Sequence, residues 1–123
     1  MHFTLTLSSD RKIVVMKIWG NITRKAAMQV TLEAHALGKK LHIRRYLMDV
    51  TEAKNTELNI ENYGFANEDM QNAEGIDRLA TMAILVNPDD HSHDFVVTVS
   101  KNAGLNVKLF DDREKARLFV MGG

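Results

Sequence analysis

His91-Ser92-His93-Asp94 is the densest group of side chains in this sequence able to ligate a metal or move a proton. Two imidazoles separated by one residue can share a divalent cation, but a selective site needs three or four ligands. If a helix opens at residue 92, both imidazoles lie at its positive end, where a cation is disfavoured. Asp49, Thr51, Thr56 and Asn59 form a second group. At the C-terminal edge of a strand they would line the crevice where open α/β sheets bind ligands. The plainer alternative is a loop of turn formers and helix caps. Neither group pairs a nucleophile with a base. No nucleophile elbow, His-Glu-x-x-His, phosphate loop or Rossmann glycine pattern occurs, and there is no cysteine. The expectation is a non-catalytic protein without metal or cofactor.

The elements that must position these residues are organised around Leu79-Ala-Thr-Met-Ala-Ile-Leu-Val86. This short apolar run has no polar alternation, so it reads as a strand covered on both faces. Phe3-Thr-Leu-Thr-Leu7 alternates as a half-buried strand does. With Ile13–Trp19 and the Ser8-Ser9-Asp10 turn it predicts an antiparallel hairpin. Thr23 is placed to cap a helix running to about Leu37, with Gly38 as its stop and Lys39-Lys40 at the negative end. Ala27, Val30, Ala34 and Leu37 form its core face. His35 and His42 are expected at the surface or flank.

Tyr46–Val50 is the next predicted strand, with Asp49 near its end and a loop over 51–58. Asn59 then caps a helix whose apolar face is Ile60, Tyr63, Ala66, Met70 and Ala73, with Phe65 pointing away and Tyr63 in the core. Residues 92–103 are rich in β-branched residues that favour strand locally. Yet Phe95, Val96, Val99 and Ala103 share one helical face, with Asp90 or Ser92 as cap and Asn102-Ala-Gly104 as exit, so helix is expected. Leu105–Phe110 follows as a strand, and Asp111-Asp-Arg-Glu114 reads as a capping box for a last helix. The predicted fold is α/β in the order ββαβαβαβα. It is one domain over 1–123, with a mostly parallel sheet and an antiparallel N-terminal strand.

Length and composition fit a soluble domain with a sizeable core. No run approaches a membrane span, and the N-terminus lacks the layout of a secretion signal, so a cytoplasmic location is expected. Net charge is zero, which argues against general nucleic-acid binding. The charge is unevenly spread: residues 1–48 carry +7, residues 49–77 carry −7, and the remainder balances. That segregation predicts a basic element beside an acidic one, within the chain or between copies.

Taken together, Leu47-Met-Asp-Val50, Glu61-Asn-Tyr-Gly-Phe-Ala66, Leu79–Val86, Phe95 through Asn102-Ala-Gly104, and Val107-Lys-Leu-Phe110 with its acidic cap resemble the bacterial SpoIIAA-like proteins. These are relatives of the STAS domain whose fold is also compared with the Sec14 lipid-binding domain. The resemblance implies a non-enzymatic module that binds a protein partner. The alternative is a small apolar ligand or lipid carrier in the Sec14 sense. In the anti-sigma-factor antagonists of this group a serine at the start of the second helix, in an Asp-Ser-Ser-Gly type motif, is phosphorylated. Here the region reads Asn55-Thr-Glu-Leu-Asn-Ile-Glu61, so that motif is absent and no phospho-switch is expected. A second apolar stripe, Met28, Leu32 and Ala36, together with Phe65, predicts a homodimer interface.

Overall fold

Alternation at the N-terminus produces β1 (His2–Leu7), whose Phe3, Leu5 and Leu7 pack inward while His2, Thr4 and Thr6 face outward. The computed structural model describes residues 1–122. β1 pairs antiparallel with β2 (Val14–Ile22). The remaining strands, β3 (Arg45–Asn55), β4 (Thr81–Leu85) and β5 (Asn106–Phe110), add in parallel, so the sheet order is β1-β2-β3-β4-β5. Helix α1 (Arg24–Leu41) links β2 to β3. Segment 59–72, here α2, links β3 to β4, and α3 (Asp94–Asn102) links β4 to β5. α4 (Arg113–Val120) closes the chain. The β-branched run at 96–99 is therefore helical: Val97 and Val99 are buried in the fold, and packing outweighs local strand preference. No helix among the described residues is long and apolar enough to cross a membrane.

The two faces of the sheet carry separate cores. Val14, Met16, Ile18, Tyr46, Val50, Ile84 and Val107 face α1 and α3, meeting Val30, Ala34 and Val97. Ile13, Leu47, Ala83 and Leu85 face the other way and meet Ala116 and Val120 of α4. β4 thus has apolar neighbours on both sides, as its unbroken apolar run requires.

Several expectations are corrected. First, β3 continues to Asn55 instead of ending at Val50. Lys17 pairs with Asp49 but Trp19 with Glu52, so β3 carries one extra residue. That irregularity switches its side-chain phase, and both Val50 and Ala53 face the same core. Second, Gly38 does not stop α1. The helix runs to Leu41, with His42 in the left-handed conformation (φ 57°) as its C-cap. Gly38 is buried because the Tyr46 phenol lies where its Cβ would be.

Third, Asn59 is the first helical residue of α2, not its cap. Leu58 holds the cap position, with no side-chain cap bond. Asp112, not Asp111, caps α4 by accepting from the Lys115 N–H at 3.0 Å. Fourth, the buried side of α2 is Asn62, Ala66 and Met70, and Tyr63 is exposed. A π-helical turn over Phe65–Asp69 widens the spacing to four residues. Asn62 is anchored by the Asn55 side-chain amide at 2.8 Å, and this turns Ile60 and Tyr63 outward.

Gly38→Ala should destabilise the fold by about 1–3 kcal/mol despite its better helix propensity, because the new methyl collides with the Tyr46 phenol and the Ile43 carbonyl. Tyr46→Phe in the same background should recover part of the loss. Chemical denaturation of the single and double variants checks both outcomes.

Candidate functional site

The loops at the C-terminal edge of the parallel strands bring α1 and α2 together through one cation. Arg24, the first residue of α1, follows the Thr23 cap, whose hydroxyl accepts the Ala26 N–H at 3.2 Å. Its guanidinium donates to both carboxylate oxygens of Asp69, at 2.7 and 2.9 Å, to Glu68 at 3.1 Å and to Glu61 at 3.3 Å. Its backbone N–H donates to Glu57 at 2.8 Å. The Asp69 fork raises the Arg24 pKa further. The guanidinium packs against Gly64, so a side chain added there would displace the end of the arginine from its carboxylates. Four carboxylates around one arginine leave this end of the molecule acidic. Here, as at Lys17–Asp49 and Arg44–Asp77, the basic first third of the chain meets its acidic middle.

Beside that cluster lies an exposed apolar ridge. Leu58 is 71% exposed, Ile60 73% and Tyr63 54%. Thr56 and Asn59 are exposed at its base, and the Thr56 N–H donates to the Ile22 carbonyl at 3.2 Å.

Asp49 and Thr51 do not join this group. They lie within β3 and not beyond its edge, because the strand is longer than expected. Asp49 is buried on the α4 side. Its Oδ1 accepts the Thr51 N–H at 3.0 Å and the Thr51 hydroxyl at 2.7 Å. Its Oδ2 accepts from Lys17 at 3.1 Å and from Arg113 at 2.6 Å. Burial pushes this carboxyl up, but the Thr51 donors and Lys17 outweigh it and hold the group below the usual carboxylate range. Every oxygen is occupied, so the arrangement ties the irregular stretch of β3 to β2 and α4.

His91 is exposed and pairs with Asp94 at 3.0 Å, while His93 is buried with Nε2 3.1 Å from the Ala53 carbonyl and 3.4 Å from Asp90. The two imidazoles have separate partners. No group of three metal-ligating side chains converges among the described residues.

Under α1, α2 and α3 runs an apolar cavity of about 100 Å³. Met48, Phe65, Met82, Val96 and Val107 are among its walls. Phe65, expected to point away, is half-buried and forms part of this wall. His35, expected at the surface, is 1% exposed and also lines it. Its ring lies 4.7 Å from the Tyr46 ring, and its Nδ1 accepts the Asp77 N–H at 2.9 Å. Burial lowers its pKa to about 4 and raises that of Tyr46 to about 12. The available signal was position: Thr31, His35 and Gly38 continue the inward face of α1 beside Ala27, Val30 and Ala34.

Solved structures that share this architecture include two SpoIIAA-like proteins. The anti-sigma factor antagonist SpoIIAA in its unphosphorylated form matches with a TM-score of 0.54 at 16% identity, over 99% of each chain. A protein of the DUF3478 family from Shewanella loihica PV-4, described as having a SpoIIAA-like fold, also gives 0.54 at 16% identity. It covers 97% of this chain and 92% of that one. No family model and no curated protein matches. At this identity the likeness is one of fold, and the chain has the SpoIIAA-like fold.

Because His35 is held neutral, the unfolded chain binds its proton more readily than the folded one. The stabilising effect is complete above the unfolded value of 6.5 and is lost as pH falls toward about 4. That displacement corresponds to a loss of about 3 kcal/mol. Denaturant midpoints measured from pH 7 to pH 4 should fall accordingly, and His35→Phe should flatten this limb.

Proposed function

We propose that this chain is a non-catalytic, STAS-like interaction module that acts in the cytoplasm. It binds a protein partner through the ridge at the start of α2. One observation carries this reading: Leu58, Ile60 and Tyr63 stand exposed together, next to an excess of carboxylates. Aromatic and aliphatic side chains with a charged rim are the composition of a protein-binding patch. The surplus acid selects a partner surface that is apolar and basic. Thr56 and Asn59, at the base of the ridge, belong to this surface. Asp49 and Thr51 act as an internal clamp.

The SpoIIAA structure supports such a role by analogy, since that protein is named as an antagonist of an anti-sigma factor. A phosphate-driven version does not suit this chain. Phosphate on Thr56 would add negative charge beside Glu57 and Glu61, which already accept from the Arg24 backbone N–H and its guanidinium. The lipid-carrier alternative is not favoured. Small-molecule pockets run to ~300–1,000 Å³, and the cavity offers about 100 Å³.

The double substitution Ile60→Asp, Tyr63→Asp should leave the denaturation midpoint within about 0.5 kcal/mol, since both side chains are solvent-facing. It should weaken capture of the native partner at least tenfold in quantitative pull-downs from the source cell. Equal capture by both proteins would refute the assignment.

Self-association belongs to the same proposal. Leu32 and Ala36 are exposed and Met28 half-buried along one stripe of α1, while Phe65 is committed to the cavity wall. A dimer through this stripe predicts concentration-dependent sedimentation that Leu32→Asp abolishes. A wild type that sediments as a monomer at every concentration removes this part of the proposal.

A further inference from the structure

Helix α1 carries opposite charge at its two ends. At its start, Glu57, Glu61, Glu68 and Asp69 surround Arg24, and Lys25 is the one further cation of that turn. Four carboxylates against two cations leave the cluster negative. At its end, Lys39 and Lys40 occupy the last turn, and Arg78 follows the segment that passes Leu32 at Gly75. Lys39, Lys40 and Arg78 are exposed and make no ion pair among the described residues, whereas Arg44 is taken by Asp77 at 3.0 Å. Arg78 reaches only the carbonyl and amide oxygens of Gln71, at 3.4 and 3.5 Å.

Between the charged ends lies the apolar stripe. Leu32 stands at the middle of this 18-residue helix, with Met28 one turn before it and Ala36 one turn after. The ends of α1 are about 27 Å apart at 1.5 Å per residue, and charge is screened over ~8 Å at physiological ionic strength. The two ends therefore do not neutralise each other within one molecule. A twofold axis through Leu32, perpendicular to the helix, exchanges them. It sets Leu32 against its own counterpart, Met28 against Ala36 of the second copy, and each basic end against an acidic one. A parallel arrangement of the same stripes would set like charges together at both ends, which is disfavoured.

We infer that α1 is the centre of an antiparallel twofold dimer, in which Lys39, Lys40 and Arg78 of each copy meet the carboxylates of Glu61, Glu68 and Asp69 on the other. The inference rests on the reading of Met28, Leu32 and Ala36 as a self-association surface. It adds the orientation of the two copies and names what the acidic cluster binds.

The sequence contains no cysteine, so introduced cysteines report the orientation cleanly. Full-length Met28→Cys and Ala36→Cys variants are mixed in equal amounts and oxidised with glutathione disulfide. A disulfide needs facing Cβ atoms, so the mixed disulfide should exceed either homodisulfide by roughly fivefold or more. Charge reversal tests the ends. Lys39→Glu with Lys40→Glu, and separately Glu61→Lys with Glu68→Lys, should each weaken the dimer seen in sedimentation by about tenfold. An equimolar mixture of the two should restore it, because each then offers the end that the other needs. Raising NaCl to ~1 M, where the screening length is ~3 Å, should weaken the wild-type dimer in the same direction. Homodisulfides in excess, or a dimer indifferent to salt and to both reversals, overturns the antiparallel pairing while self-association through the stripe stands. A wild type that is monomeric at every concentration removes both. The cysteine pair decides the orientation even if a reversal variant does not fold, and capture through the α2 ridge is measured separately.

Discussion

The seat of α1 on the Tyr46 ring is the contact on which most of this structure depends. Gly38 lets the helix approach so closely that the phenol occupies the place of a side chain. One turn earlier, His35 stacks on the same ring and accepts the Asp77 N–H, which ties the entry to β4 to the middle of α1. The spacing between helix and sheet is set there. Farther along α1 the gap is bridged by larger, flexible side chains from α2 and the strands, and it leaves the cavity that Phe65, Met48 and Met82 line. A histidine is an expensive choice for such a seat, because among the described residues its second nitrogen has no hydrogen-bond partner.

Charge organises the two outer ends of the same architecture in different ways. Asp49 is a buried anion surrounded by donors, and its neighbours are consumed in holding the irregular part of β3 in place. Arg24 is the reverse, one cation shared by more carboxylates than it can neutralise. The first arrangement is closed. The second leaves a negative field beside exposed apolar side chains, and on that combination the proposed partner surface rests.

The π-helical turn in α2 joins these themes. A regular helix with the same sequence would turn Ile60 and Tyr63 toward the sheet together with Ala66 and Met70. The widened turn separates them, so the second half of α2 closes the cavity while the first half displays the ridge. One local irregularity thereby gives a single short segment two surfaces.

The sequence by itself determined the order of strands and helices, the antiparallel first pair and the parallel remainder. It also determined the helical state of 94–102, because apolar periodicity and crossover rules act over whole elements and tolerate small errors at their ends. The inward face of α1 at Val30 and Ala34, and the meeting of the basic and acidic thirds, were legible for the same reason. Only tertiary structure decided the places where a single long-range contact overrides local pattern. Gly38 resembles a helix stop until Tyr46 is beside it, and His35 resembles a surface residue until Asp77 meets its ring. Asp49 and Thr51 resemble a strand end and the loop beyond it until Lys17 and Arg113 close on Asp49. Tyr63 resembles core until Asn55 anchors Asn62 and turns the helix. In each case the deciding partner is remote in sequence or offset by a local irregularity of the backbone, and residue type and spacing carry no record of either.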